Sequence, residues 1–227
     1  MQIAFVLLAA GSGRRLETEA PKALIELNGL PLFIHSLIKS KEAGFFNQSI
    51  LVVPKGFEGD FSSLLSRHSL SVDKIVLGGS KRVDSVFNAL ESIVDADYVF
   101  IHDAARPFIS TQLMKSLLDE VKKHSAVVPA VAVNSALKLV KDDFIIKTLD
   151  RENIYAVQTP QVFDFQLIRS ALQEFKNKDV EGEIFDDAYL LELNDKKVKI
   201  IEGDLFNFKI TYPQDLKFAK RILEQCR

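Results

Sequence analysis

Leu7-Leu8-Ala9-Ala10-Gly11-Ser12-Gly13-Arg14-Arg15-Leu16, followed by Pro21-Lys22, is the stretch on which the fold of this chain turns. An apolar strand, Ile3 to Leu8, runs into small residues and two glycines, then into two arginines and a lysine. Side chains this small let a ligand approach the backbone closely, and glycine reaches conformations closed to other residues. Arg14, Arg15 and Lys22 put positive charge where that backbone is bare, which is the pattern of a polyphosphate cradle. Two better-known phosphate loops do not fit. No glycine precedes Lys22 as the G-x-x-x-x-G-K-[ST] loop requires, and Leu16 stands where the dinucleotide fingerprint needs its third glycine.

The rest of the chain agrees with a ligand-binding globular protein. At 227 residues it is long enough for one larger α/β domain with a substantial core. Its 47% hydrophobic and 26% charged residues are ordinary for a soluble protein. A net charge of −2 argues against broad, non-specific nucleic-acid binding, while leaving room for a local basic pocket. The longest apolar run, Ile3 to Ala10, is too short to span a bilayer. No basic segment precedes it as a signal peptide would require, so the expected location is the cytoplasm. The only cysteine, Cys226, excludes a disulfide framework and a cysteine metal site.

Strands and helices alternate through the first half. Asn28-Gly29 marks a turn and Pro31 a helix start, with Leu32, Ile34, Leu37 and Ile38 as the inward face of a helix reaching about Ala43. Ser49 to Val53, Lys74 to Leu77 and Tyr98 to Ile101 read as buried strands. Helices carry Val83, Val86, Phe87, Leu90 and Ile93, and then Leu113, Met114, Leu117, Leu118 and Val121; a strand follows at Ala126 to Val131. This alternation predicts a doubly wound, mostly parallel sheet. Ligands in such sheets sit beyond the carboxyl ends of the strands. The loops after Leu8, Leu77 and Ile101 all leave such ends, so they converge on one site.

The alternation breaks after Val133. Leu137 to Val140 and Phe144 to Thr148 are short β-prone runs joined by Asp142-Asp143, a hairpin signal. A hairpin outside the α/β pattern projects and exposes its edges, which a second copy of the chain would bury; a homodimer is the expectation. Phe165 to Phe175 and Ala188 to Leu193 read as helices, Val198 to Ile201 as a late strand and Phe208 to Thr211 as another extended piece. Pro213 opens a terminal helix. Asp186-Asp187 reads either as a helix-start pair or as part of the site.

With these residues laid out, the chain resembles the 2-C-methyl-D-erythritol 4-phosphate cytidylyltransferases nearly end to end. The landmarks are Ala9 to Arg15, Pro21-Lys22, Gly78-Gly79-Ser80-Lys81-Arg82-Val83-Asp84-Ser85, His102-Asp103-Ala104-Ala105-Arg106-Pro107, Asp150-Arg151, Thr159-Pro160-Gln161, Asp186-Asp187-Ala188 and Asn207-Phe208-Lys209-Ile210-Thr211. The resemblance implies a Rossmann-like nucleotidyltransferase fold over residues 1–227, with a projecting, dimerising β-arm at about 134–155. It implies transfer of CMP from CTP to the sugar-alcohol phosphate, with release of pyrophosphate and with Mg²⁺.

By the same resemblance Arg15 and Lys22 stabilise the transition state, and Arg151 and Lys209 position the acceptor phosphate, the arginine acting across the dimer. Leu8, Ala9, Ala10, Gly11, Ser12, Gly13, Gly79, Ser80, Ser85 and Ala104 would bind the nucleotide. Asp103, Arg106, Ser135 and Thr211 would meet the acceptor, with Asp103 also a candidate for the metal and His102 a supporting residue rather than a base. The chain departs from the family pattern at Asn134-Ser135-Ala136, where Asp-Thr is usual, and at Phe185, where threonine is usual. Both departures bear on the acceptor. A ribitol-5-phosphate cytidylyltransferase is the alternative enzyme, although its relatives carry Gly-Gly at Ala10-Gly11 and Ser-Val at Ala104-Ala105. A non-catalytic CTP-binding module would have lost one or more of the four charged positions, and all four are present.

Overall fold

The run Ile3-Ala4-Phe5-Val6-Leu7-Leu8 has no polar position, which suits a strand covered on both faces. It forms β1 (Ile3–Leu8), inside an eight-stranded sheet. The computed structural model describes residues 1–16, 20–177 and 184–225. Two 3₁₀ turns (Arg14–Leu16 and Lys22–Leu24) follow β1, then the hairpin of β2 (Glu26–Leu27) and β3 (Leu30–Pro31), then α1 (Leu32–Ala43). Next come β4 (Gln48–Val53), α2 (Glu58–Arg67), β5 (Lys74–Leu77), α3 (Arg82–Ser92), β6 (Tyr98–Asp103), α4 (Thr111–His124) and β7 (Ala126–Ala132). A separate hairpin, β8 (Leu137–Lys141) and β9 (Phe144–Leu149), leads into β10 (Tyr155–Val157) and β11 (Gln161–Asp164). The chain closes with α5 (Phe165–Asn177), α6 (Ala188–Glu192), β12 (Lys199–Glu202) and α7 (Pro213–Gln225).

The sheet runs β10-β7-β11-β6-β1-β4-β5, with β12 on the other side of β7. β6, β1, β4 and β5 are mutually parallel, as the alternation predicts. β10 and β11 pair antiparallel with β7, and β11 also with β6, so the sheet is mixed at that edge. Period-two alternation divides the core into two layers. Ile3, Phe5, Leu7, Leu51 and Phe100 face α1, α2 and α4, while Ala4, Val6, Ile50, Val99 and Ile101 face α3, α5 and α6. A smaller cluster of Leu16, Leu27, Leu32, Ile210 and Ala219 seats the opening loop against α7.

Three features differ from the sequence reading. Helix α2 lies in a stretch that carries no clear periodicity, because only Phe61 and Leu65 of its ten residues are buried. Phe208 to Thr211 is not a strand; it is loop, tied to the fold through Ile210 N–H donating to the Ala105 carbonyl at 2.8 Å. β10 and β11, on either side of the cis Thr159–Pro160 bond, are too short to stand out in the sequence.

The predicted hairpin is present. Its turn places Asp142 and Asp143 at φ 49° and 65°, the left-handed pair of a two-residue turn that matches strand twist. β8 and β9 pair with each other as a sheet of their own. Phe144, Ile145 and Ile146 are 75%, 64% and 57% exposed, more apolar surface than a solvated ribbon normally shows.

Candidate active site

From β1 the chain passes to β4 and β5 on one side, then returns to β6 on the other. The carboxyl ends of β1 and β6 therefore flank the point where strand order reverses, the crevice in which open α/β sheets bind ligands. Leu8 and Asp103 are register partners at those ends, and the Ala104 amide donates to the Leu8 carbonyl at 3.1 Å. The glycine loop leaves from here, its Ala9 amide bonded to the Val52 carbonyl and the Lys22 amide to the Gly11 carbonyl. The amides of Ala9 and Ala104 are thus engaged in holding the strand ends together. Gly11 and Ser12 are exposed, and a Cβ on Gly11 would meet open space.

Cations gather around one buried carboxylate. Asp103 Oδ2 accepts from Lys209 Nζ at 2.6 Å, and Oδ1 from Arg82 Nε at 3.3 Å. The remaining guanidinium nitrogens of Arg82 make a bidentate pair with Asp187 at 2.8 and 2.7 Å. Burial favours the neutral form of Asp103, but Arg82, Lys209 and Arg106 outweigh it and hold the carboxyl well below the usual range. Burial likewise disfavours the charge on Arg82, and Asp187 and Asp103 outweigh it; at Asp187 burial prevails and pushes the carboxyl up against the pull of Arg82. Burial prevails at Lys22 too. Burial, then repulsion from Lys209 and Arg15, lowers its pKa to about 8, with Asp103 and Asp215 only partly compensating. Arg15 is exposed, its guanidinium 5.9 Å from the ring centre of Tyr212. A lysine poorly compensated by carboxylates gains most from an incoming polyanion.

His102 is fully buried and cannot serve as a base. Its Nε2 lies 3.1 Å from the Arg106 carbonyl, which only accepts, so Nε2 carries the proton. Nδ1 then accepts from Thr159 Oγ1 at 2.9 Å, and the same oxygen accepts from the Asp103 amide at 3.1 Å. Burial, only partly opposed by Asp103, lowers the His102 pKa to about 4, so it stays neutral and fixes the backbone of Asp103. Arg106 also looks inward: its Nη1 and Nη2 donate to the carbonyls of Asn207 and Val157 at 2.8 and 3.3 Å. It ties the loop bearing Lys209 to β10 and leaves Nε as its one buried, unpartnered donor.

The second wall is the loop from Gly78 to Ser85. The Gly78 amide donates to the Val53 carbonyl, and Ser85 Oγ accepts from the Gly79 amide at 3.1 Å. Asp84 accepts from Ser80 Oγ and the Lys81 amide, and is braced from behind by Lys176 at 2.6 Å. A Cβ on Gly78 would lie 2.4 Å from the Ala10 Cβ and 3.0 Å from Ser85 Oγ, so this glycine lets the two loops touch. Gly78→Ala is expected to cost about 1–3 kcal/mol in stability and to weaken CTP binding, read by denaturation and calorimetry. Unchanged values on both would remove the packing argument.

The structure brings Lys22, Lys209, Asp103 and the Gly78–Ser85 loop to one end of the sheet. Arg151 and Ser135 are placed elsewhere: both are exposed at the foot of the hairpin, where Arg151 donates to the Asn134 carbonyl. Thr211 turns its hydroxyl to the Lys209 carbonyl, and its amide donates to Asp215 at 2.7 Å. It therefore shapes the start of α7 and the loop carrying Lys209. Of the aspartate pair, Asp186 accepts the Tyr189 amide at the start of α6, as a helix-start residue does, and Asp187 pairs with Arg82. Arg82 and Gln161 were not assigned to the site from sequence, and Asp187 only as one of two readings, since their partners are distant in the chain. The Arg14 side chain and Cys226 lie outside the described residues.

Comparison with known proteins places this arrangement. The chain superposes on the crystal structure of 4-diphosphocytidyl-2C-methyl-D-erythritol synthase from Anaerococcus prevotii with a TM-score of 0.86 and 28% identity, covering 98% of this chain and 96% of that one. The 2-C-methyl-D-erythritol 4-phosphate cytidylyltransferase of Thermus thermophilus gives 0.82 and 28%, with 99% and 100% covered. The fold is that of a nucleotidyltransferase. The family model for 2-C-methyl-D-erythritol 4-phosphate cytidylyltransferase matches residues 3–225. The enzyme of that name from Shouchella clausii is 37% identical over 226 residues, covering 99% of this chain and 98% of its own. That of Geobacillus thermodenitrificans is 39% identical over 219 residues, with 96% and 95% covered. The chain belongs to the 2-C-methyl-D-erythritol 4-phosphate cytidylyltransferase family.

Proposed function

We propose that this enzyme transfers the cytidylyl group of CTP to 2-C-methyl-D-erythritol 4-phosphate, releasing pyrophosphate, in isoprenoid precursor synthesis. Beyond family membership, the observation that carries this reading is the gathering of Lys209 on Asp103 at the strand ends with Lys22 beside them and Arg15 near Lys22. An acceptor phosphate oxygen attacks the α-phosphorus, the bond to the pyrophosphate oxygen breaks, and no proton needs to move because the nucleophile is already ionised. Bringing two anions together and carrying the charge that builds on the leaving group form the barrier, and preorganised cations lower both. Arg15 and Lys22 act on the triphosphate and Lys209 on the acceptor. The Gly78–Ser85 loop reads the cytosine, with Ala10 to Gly13 beneath the phosphates.

Among the described residues no group of three or more His, Cys, Asp or Glu stands ready to hold a metal ion. Asp103, whose oxygens meet Lys209 and Arg82 in this structure, would be the protein's ligand to an Mg²⁺ that keeps its waters and is held mostly by substrate phosphates. Such an ion would supply charge neutralisation on the triphosphate.

The exposed Phe144, Ile145 and Ile146 support a homodimer through the hairpin. Arg151, at its foot, would then serve the site of the second copy. Pyrophosphate release with CTP, Mg²⁺ and methylerythritol phosphate, or ribitol phosphate in parallel, tests the reaction. Release with ribitol phosphate alone would transfer the assignment to that acceptor. Mixing Arg151→Ala with Lys22→Ala protein should restore part of the activity that each lacks. No recovery despite verified subunit exchange would place Arg151 in its own subunit's site.

A further inference from the structure

We propose that Arg82 is a positioning residue for the transfer, fixing Asp103, and through it the Lys209 ammonium, in register with the nucleotide loop. This rests on the reading of the site given above. Arg82 is the first residue of α3 and follows Gly78-Gly79-Ser80-Lys81 directly, so it moves with the loop assigned to the cytosine. Its guanidinium is a rigid planar fork. Two of its nitrogens are held by Asp187 at 2.8 and 2.7 Å, which aims the third at Asp103 Oδ1.

The anchor itself is firm. The Asp187 side chain is 1% exposed, and Gln161 Oε1 accepts from the amides of Asp187 and Ala188 at 2.9 and 3.0 Å. The opposite amide end of Gln161 donates to Asp186 at 3.0 Å. A hydrogen-bonded chain, buried at Gln161, Asp187 and Asp103, therefore runs from Gln161 through Asp187, Arg82 and Asp103 to Lys209, joining β11, α3, β6 and the loop before α7.

The consequence is electrostatic. Lys209 is shared between Asp103 and whatever anion enters the site. While Arg82 occupies Oδ1 and offsets part of the carboxylate charge, Lys209 meets only Oδ2 and keeps attraction to offer an acceptor phosphate. Without that guanidinium, Asp103 turns both oxygens to Lys209 and withholds it. Neutralising a buried Asp187 would be a purely structural role for Arg82, and it predicts different results.

Two variants separate these roles. Arg82→Lys keeps the charge but cannot span two carboxylates. The double variant Arg82→Met/Asp187→Leu replaces the buried pair with apolar groups, a change proteins often tolerate. Positioning predicts that both lose about 10- to 100-fold in kcat/KM for the acceptor, the scale seen for outer-shell partners at metal sites, while KM for CTP stays within about threefold. Near-normal acceptor kinetics in the double variant, or in a folded Arg82→Lys, would overturn the proposal. If the double variant does not fold, Arg82→Lys decides.

A readout without turnover separates failure of this inference from failure of the functional reading. The ¹³C shift of dimethylated Lys209, assigned with Lys209→Arg and recorded without substrates, should differ between wild type and Arg82→Lys. An unchanged shift would overturn the coupling even if neither acceptor proved to be the substrate.

Discussion

Lys22→Ala should lower turnover by about 10²- to 10³-fold, the cost of removing one preorganised charge from a transition state, while circular dichroism and the unfolding midpoint show a folded protein. Near-normal pyrophosphate release would remove Lys22 from the mechanism. The expectation comes from its surroundings: a half-buried ammonium near two other cations, its backbone pinned to the Gly11 carbonyl at 3.2 Å. The same surroundings set a pH dependence. With its pKa lowered to about 8, Lys22 is charged below that pH and loses its charge above it, so kcat/KM for CTP should fall as pH rises through about 8. Lys22→Arg stays charged there and should lack that limb; an identical limb would assign it to another group.

Stability moves in the opposite direction. Between about 8 and the ordinary lysine value of 10.5, the unfolded chain holds a proton on residue 22 that the folded chain has released. The unfolded state then binds more protons, so this residue's contribution to stability rises with pH across that window. A comparison of urea midpoints between wild type and Lys22→Met across the window isolates it.

Asp187→Ala should cost about 3 kcal/mol of stability, the lower end of the range for breaking a buried pair by removing one partner. Arg82 is a quarter exposed and keeps Asp103 at 3.3 Å, which softens the loss. Guanidinium denaturation of Asp187→Ala and of Arg82→Met/Asp187→Leu measures it. The single variant should be the less stable of the two, because it leaves a mostly covered guanidinium without its bidentate partner. A loss below about 1 kcal/mol, the scale of an exposed pair, would show that the network is solvated.

Legibility followed the physics of each element. β1 and the stretches 50–53 of β4 and 99–101 of β6 are covered on both faces, so they are apolar without interruption, and such runs are visible at once. The Asp142-Asp143 turn is local chemistry between neighbours and is equally plain. α2 hides because a helix resting on two buried side chains needs no apolar stripe. Phe208 to Thr211 misleads because its apolar residues pack on Leu16, Leu32 and Ala219 rather than pairing with a strand.

The site divides in the same way. By itself the sequence determined the class of sheet, the three loops that meet at strand ends, the small residues of the opening loop and the cations beside it. These are properties of consecutive residues. Only the tertiary structure decided which charges face which. Arg82 and Asp187 lie 105 positions apart and Lys209 and Asp103 lie 106 apart, and no local pattern encodes a partner at that distance. It also decided that Arg106 and Thr211 turn inward, that His102 is neutral and that Lys22 is poorly compensated. Burial and long-range pairing set these states, and both exist only once the strands have assembled.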